Sequence, residues 1–301
     1  MSAEGAVTTS DRIRAHVALT KPRIVELLLA TAVPTMFLAA DGLPPLGATI
    51  GVLIGGTLSA GSANTFNSVY DRDIDAIMRR TFHRPAAMGV VGVRAGLIQG
   101  VLLALASSVV LLMLTNVLAA VLSLVAIAFY AIGYTMLLKR RTPQNIVWGG
   151  AAGCMPVLIA WAAVTGSLTW TPLVLFLIIF FWTPPHYWPL AMKFRDDYAE
   201  AGIPMLPVVR SNRVVANNIV AYSWVMVATS LVLVPVAGMG WVYAVGATLL
   251  GAAFLFEAYL LRRKVSRHLP DVTATAMRLF HGSISYLALL FLLVALAPFV
   301  G

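Results

Sequence analysis

Oxygen-bearing side chains recur at a helical spacing in one short polar stretch of the chain. Asn67, Asp71 and Asp75 are four residues apart, and Arg79 follows at the same interval. In an α-helix each such step advances about 40° beyond a full turn, so these side chains form one slowly spiralling stripe. Mg²⁺ binds to proteins through one or two carboxylates together with phosphate oxygens and water. The stripe therefore predicts a magnesium site at Asn67, Asp71 and Asp75, and the arginine beyond it suits contact with a phosphate.

A second polar cluster lies further along the chain. If that stretch is helical, Lys193 and Asp197 lie within about 40° of the same face as His186, from which they are seven and eleven residues away. Lys193 could hold a phosphate and Asp197 could complete a second metal site, since two metals neutralise a departing diphosphate. Asp196 is an alternative ligand, although Asp197 is preferred. A role for His186 in binding and a role in packing both stay open.

The composition identifies the medium that surrounds these clusters. Of the 301 residues, 60% are hydrophobic and 11% are charged, and the mean hydropathy is +0.87. A soluble domain has about 25% charged residues, so this chain must use the lipid bilayer as its solvent. The net charge of +9 does not indicate a nucleic-acid partner, because the basic residues form short clusters between apolar runs.

Nine apolar segments are long enough to cross a bilayer, which takes about 20 residues each. They predict an all-α fold, a polytopic bundle of nine transmembrane helices. We expect a single domain, 1–301, that begins with a polar cytoplasmic segment, 1–23. The predicted spans are 24–40, 46–69, 91–114, 116–137, 145–165, 171–192, 215–236, 240–261 and 279–299.

The basic residues are distributed to one side of these spans. If the N-terminus is cytoplasmic, all 21 Lys and Arg residues fall in cytoplasmic segments and the opposite loops contain none. Cytoplasmic loops of membrane proteins carry an excess of these residues. We therefore predict a cytoplasmic N-terminus, a C-terminus outside, and both polar clusters at the cytoplasmic face of a bacterial inner membrane.

A simpler interpretation of the acids also exists. They could pair with Arg72, Arg79 and Arg80 as a solvated surface, where ion pairs contribute little to stability. Against it, the chain has only 12 acidic residues, and acids near membrane depth are usually functional. Oxygen ligands without clustered histidine or cysteine also argue against zinc, copper or iron. These points favour the magnesium site.

The motifs together resemble those of the intramembrane aromatic prenyltransferases, the superfamily that contains 4-hydroxybenzoate polyprenyltransferase. The acidic stripe alone is typical of the whole superfamily. The Pro-Pro-His block at 184–186 and the Gly-Ile-Pro-Met-Leu-Pro block at 202–207 are similar to those of one family within it, the heme O synthases or protoheme IX farnesyltransferases. The matching segments follow the same order along the chain, at 19–23, 67–75, 84–85, 139–145, 184–188, 197–198 and 202–207.

The resemblance implies a Mg²⁺-dependent reaction in which a farnesyl group passes from farnesyl diphosphate to a vinyl group of heme b, giving heme O and diphosphate. It implies catalytic roles for Asn67, Asp71, Asp75, Lys193 and Asp197, with the metal held by these residues other than Lys193. It implies substrate contacts by Lys21, Arg23, Asn64, Arg79, Arg84, Lys139, Arg140, Asn145, His186 and Tyr198. Whether the basic clusters bind diphosphate or heme propionates stays open. A downstream enzyme that processes heme O is a candidate partner.

Three other functions stay open. A sister prenyltransferase would act on a quinone or chlorin precursor, and His186 after two prolines is the feature that favours heme. A secondary transporter would place its acids near mid-membrane, often at broken helices, whereas these acids lie at the cytoplasmic edge among arginines. A non-catalytic heme-insertion factor would not need the acidic stripe.

Overall fold

The structure, a computed structural model, describes residues 8–300. Over that range the chain is helical without strands, and nine of its helices are long and apolar enough to cross a membrane. The predicted all-α fold of nine spans is therefore confirmed. Residues 1–7 and 301, which belong to the predicted N-terminal segment and to the ends of the predicted domain, lie outside the described residues.

The helices follow one another with short connections. In chain order they are α1 (Thr9–Leu19), α2 (Pro22–Ala40), α3 (Leu46–Tyr70), α4 (Arg72–Ile77), α5 (Val93–Leu114), α6 (Val117–Ala128) with a π-helical continuation (Phe129–Leu138), α7 (Asn145–Thr165), α8 (Trp170–Lys193), α9 (Arg195–Glu200), α10 (Leu206–Val209), α11 (Asn212–Ala237), α12 (Trp241–Ser266) and α13 (Val272–Val300).

Local sequence explains several helix ends and contacts. Pro22 occupies the first position of α2, where a missing backbone N–H leaves no hydrogen bond unmade. Gly166 ends α7 with φ of 68°, a left-handed conformation that glycine adopts without strain. Gly55 lets α3 approach α5 closely, because a Cβ there would lie 2.7 Å from Leu111 Cγ.

The fourth span departs from a regular α-helix in its second half. The backbone N–H of Lys139 donates to the carbonyl of Tyr134, five residues earlier, at 2.8 Å. In a regular α-helix Tyr130 and Lys139, nine residues apart, would point to opposite sides. In the structure both line one cavity. The π-helical segment is therefore what brings Lys139 to the same side as the tyrosines, and the hydropathy pattern of span 116–137 gives no sign of it.

Candidate active site

A cavity of about 310 Å³ lies between α2, α3, the π-helical segment, α7 and α8. Its volume falls at the lower end of the range usual for small-molecule sites. One part of its wall is apolar, with Leu27, Ile146 and Ile179 among its residues. The other part is charged or polar and is formed by Lys21, Asn67, Asp75, Arg80, Arg84, Lys139, Tyr187 and Tyr198.

The acidic stripe keeps its helical spacing across the junction between α3 and α4. The N–H of Asp71 donates to the carbonyl of Asn67 at 2.9 Å, and the N–H of Asp75 donates to the carbonyl of Asp71 at 2.8 Å. All three side chains are buried, and Asp71 has no exposed surface. Nδ2 of Asn67 donates to Oδ2 of Asp71 at 2.8 Å. For Asn67 and Asp71 the i, i+4 spacing read from the sequence thus corresponds to direct side-chain contact.

Each member of the stripe is paired with a cation from another part of the chain. Nζ of Lys21 donates to Oδ1 of Asn67 at 2.5 Å, and Nζ of Lys139 donates to Oδ2 of Asp71 at 2.5 Å. Nη1 of Arg84 donates to Oδ2 of Asp75 at 2.8 Å. Three cations therefore converge on the polar wall of the cavity.

This convergence is electrostatically costly for Lys21. Burial, together with the charges of Arg84 and Lys139, lowers the pKa of Lys21 to about 7. An anion in the cavity would stabilise the protonated amine and offset the repulsion among the three cations. The site is therefore suited to a ligand with concentrated negative charge, such as a diphosphate.

Two buried asparagines hold the backbone beside these lysines. Nδ2 of Asn64 donates to the carbonyl of Thr20 at 3.0 Å, directly before Lys21. Nδ2 of Asn145 donates to the carbonyl of Lys139 at 3.0 Å. Both asparagines were predicted to contact substrate, and in the structure both support the residues that reach the cavity.

Arg140 lies beside the stripe rather than in the cavity wall. Its guanidinium donates to both carboxylate oxygens of Asp73 at 2.7 Å. These hydrogen bonds lower the pKa of Asp73 to about 2. The predicted contact of Arg140 with substrate would require this ion pair to rearrange.

The remaining predicted site residues lie outside the cavity wall. Arg23, Arg79 and Lys193 are exposed, and Asp197 on α9 is half-buried. The ring of His186 stacks between Trp182 and Phe280 with centroids 4.1 and 4.7 Å apart, and its Nδ1 lies 2.7 Å from Oγ of Ser283. The predicted roles of all these residues stay predictions.

The donor atoms of the stripe fit Mg²⁺. Two carboxylates and one amide oxygen are a set that this ion accepts when phosphate and water complete its coordination. Oδ1 of Asp71 is buried without a hydrogen-bond partner, and Nη2 of Arg140 lies 3.5 Å from it. Within residues 8–300 no group of three or more His, Cys, Asp or Glu side chains is arranged to hold a metal.

Comparison with known proteins places the chain in a family. The sequence profile described as the UbiA prenyltransferase family matches residues 28–284. This chain belongs to the UbiA prenyltransferase family. It is therefore a multi-pass membrane prenyltransferase, and the expected superfamily is confirmed.

Two sequence relatives of this UbiA-family member carry the same name. A protein of Streptomyces avermitilis is 53% identical over 99% of this chain and 98% of its own length, and it is named protoheme IX farnesyltransferase. A protein of Clavibacter sepedonicus with the same name is 55% identical over 97% of this chain and 94% of its own length. The heme O synthase resemblance is thus confirmed at the level of named relatives.

Two solved structures share the fold of this chain. A structure concerning digeranylgeranylglyceryl phosphate synthase has a TM-score of 0.78 at 14% identity, covering 96% of this chain and 99% of its own. A UbiA homologue from Archaeoglobus fulgidus, bound to GPP and Mg²⁺, has a TM-score of 0.62 at 15% identity, covering 93% and 99%. At these identities the likeness concerns the fold alone.

Sequence reasoning missed one cation of this UbiA-family site, Arg80. It lines the cavity and its Nη2 donates to the hydroxyl of Tyr198 at 2.9 Å, which lies 2.8 Å from the hydroxyl of Tyr187. Extending the helical spacing pointed instead to Arg79. However, α4 ends at Ile77 and Met78 is extended, with ψ of 126°. That change of direction exposes Arg79 and turns Arg80 inward.

Proposed function

We propose that this chain transfers a farnesyl group from farnesyl diphosphate to a vinyl group of heme b, giving heme O and diphosphate. The observation that carries the proposal is the 53% identity to a named protoheme IX farnesyltransferase over 99% of the chain. That likeness spans both polar clusters and all nine long helices. The arrangement of the cavity supports the donor half of the reaction independently.

The charged wall of the cavity suits the diphosphate of the donor. Asn67, Asp71 and Asp75 would hold Mg²⁺, which neutralises charge on a leaving diphosphate. Lys21, Arg84 and Lys139 already lie against these ligands and would contact the phosphate oxygens directly. Fixed positive groups at the leaving oxygen favour the transition state, in which negative charge moves onto that oxygen.

A smaller apolar cavity offers room for part of the prenyl chain. It measures about 130 Å³, lies between α2, α3, α6 and α7, and shares Ile24, Leu28 and Tyr130 with the larger cavity. A chain of isoprene units gains free energy from such a wall in proportion to the apolar area removed from water. The same wall keeps bulk water from the allylic carbon when its bond to oxygen breaks.

The chemistry balances with one molecule of water. The bond between farnesyl C1 and the diphosphate oxygen breaks, and both electrons leave with diphosphate. The electron pair of the heme vinyl group forms the new carbon–carbon bond to C1. Water then adds to the other vinyl carbon and loses a proton, which gives a hydroxyethylfarnesyl side chain.

The acceptor half depends on the relatives and on the predicted role of His186. His186 is in the same helix as Trp182 and Tyr187, which line the cavity, and stacking on both faces holds its ring still. We further propose that the reaction occurs at the cytoplasmic face of a bacterial inner membrane, because all 21 basic residues would then lie on that side.

The test is to incubate the purified protein with heme b, farnesyl diphosphate and Mg²⁺ and to search for farnesylated heme by mass spectrometry. Asp75→Asn should abolish the product, because it removes a charged ligand from the cavity wall. Asp41→Asn is the matched control, since Asp41 follows the opposite end of α2 and its left-handed backbone suits asparagine. Absence of heme product, with prenylation of a quinone or chlorin precursor instead, would reject heme as the acceptor.

A further inference from the structure

Thr135 is fully buried in the π-helical segment and joins two polar groups. Its Oγ1 donates to the carbonyl of Tyr130 at 2.8 Å and accepts from Nδ2 of Asn67 at 3.0 Å. A threonine hydroxyl has one hydrogen to donate. With that hydrogen directed to Tyr130, Thr135 meets Asn67 only as an acceptor.

This contact completes a network that fixes the orientation of the Asn67 amide. Nδ2 donates one hydrogen to Asp71 and the other to Thr135, while Oδ1 accepts from Lys21. A carboxylate can only accept and an ammonium can only donate. A flipped amide would lose all three hydrogen bonds, so the oxygen is held on the side of Lys21.

The π-helical hydrogen bonding makes this contact geometrically feasible. Five residues of a regular α-helix advance the side-chain direction about 140° past one full turn, so Thr135 would point well away from Tyr130. In the structure Tyr130 and Tyr134 stack with ring centroids 5.5 Å apart and line the cavity, and Thr135 reaches a residue of the same wall. Irregular helical turns of this kind occur frequently at functional sites.

We propose that Thr135 is a positioning residue for the magnesium–diphosphate site, because it holds Asn67 with the amide oxygen directed toward the ligand. The inference rests on the proposed function and adds to it a residue that does not touch substrate. Removing a partner that orients a metal ligand usually weakens metal affinity about tenfold to a hundredfold.

The decisive variant is Thr135→Val, which keeps the shape of the side chain and removes both hydrogen bonds. We expect it to weaken binding of Mn²⁺ in the presence of inorganic diphosphate at least about tenfold, or about 1.4 kcal/mol, as followed by electron paramagnetic resonance of the full chain in detergent. The Mg²⁺ concentration that gives half-maximal turnover should rise in parallel. Thr135→Ser retains the hydroxyl and should restore both values.

Thr35→Val is the matched control. Thr35 is also buried, and its hydroxyl donates to the carbonyl of Thr31 at 2.8 Å, four residues earlier in α2. This variant should bind Mn²⁺ as the wild type does. Should Thr135→Val fail to fold, Thr135→Ala removes the same hydroxyl and is compared with Thr135→Ser.

The outcomes separate the two proposals. If the wild-type protein binds Mn²⁺ with diphosphate and the valine or alanine variant binds it equally well, Thr135 serves only packing. A wild-type protein that does not bind Mn²⁺ with diphosphate would instead reject the proposed metal site itself.

Discussion

Replacing Lys139 by methionine should destabilise the protein by a predictable amount. Oδ2 of Asp71 lies 2.5 Å from Nζ of Lys139, and the carboxylate has no exposed surface. At an effective dielectric constant of about 20 the gross attraction between two charges at that distance is about 7 kcal/mol. Because desolvation opposes it, the measured cost of removing one partner of such a buried pair is about 3–5 kcal/mol.

A second substitution tests whether the cost arises from the stranded carboxylate. Asp71→Asn in the Lys139→Met background removes the buried carboxylate charge, which would otherwise keep only Arg140, at 3.5 Å, as a cationic neighbour. Most of the lost stability should therefore return while turnover stays absent. Mg²⁺ should also raise the melting temperature of Lys139→Met, but not that of the double variant, since a bound cation can replace the lysine charge at Asp71. Lys264→Met, in the last turn of α12, is the control.

The assay is thermal or denaturant unfolding of each variant in detergent, with and without Mg²⁺. A loss of about 3 kcal/mol corresponds to about 5 °C in Tm, because an unfolding entropy of about 2.1 cal/mol/K per residue amounts to about 0.63 kcal/mol/K for 301 residues. If Lys139→Met is as stable as the wild type, or if adding Asp71→Asn does not restore the lost stability, the Lys139–Asp71 pair does not contribute about 3–5 kcal/mol to stability.

Three further predictions concern the second polar cluster and the topology. Asp197→Asn should lower turnover about a hundredfold or more, which is the usual effect of losing one group that stabilises transition-state charge. Asp196→Asn should have a smaller effect, and equal effects in a turnover assay would reject the preference for Asp197. His186→Ala should weaken heme binding in an absorbance titration while Mg²⁺-dependent farnesyl diphosphate binding is retained, and an unchanged heme titration would make His186 a packing residue. A reporter fused after Gly301 should lie outside the cytoplasm, and a cytoplasmic signal from an active fusion would overturn the predicted orientation.

The spans could be predicted because the bilayer imposes a length and an apolar character on each of them. Pro22–Ala40 and Asn145–Thr165 differ from the predicted spans by two residues or fewer at each end. The contact between Asn67 and Asp71 was also predictable, since helical hydrogen bonding continues from α3 into α4. The helical spacing of residues in the sequence is enough to predict side-chain contacts wherever the backbone is a regular α-helix.

The irregular parts of the site could not be predicted in this way. The end of α4 exchanges the roles of Arg79 and Arg80, and the π-helical turn decides where Lys139 and Thr135 point. Neither change alters hydropathy, which is the property that the sequence pattern reports. Both depend on packing among helices that are far apart in sequence, so they require the assembled bundle.

The charge balance of the cavity argues for a phosphorylated ligand over a transported cation. Lys21, Arg80, Arg84, Lys139 and Asp75 line its wall, and the buried carboxylate of Asp71 lies behind Lys139. Four formal positive charges less two negative ones leave a formal excess of two. A site that carries a metal cation across a membrane needs oxygen ligands in excess, whereas here the acids and Asn67 are all engaged by cations. A diphosphate would supply the missing negative charge, and Mg²⁺ bound with it would replace lysine and arginine as the positive partner of the carboxylates. We therefore expect the acidic stripe and the basic residues to act as two halves of one diphosphate site, so that losing either half abolishes prenyl transfer.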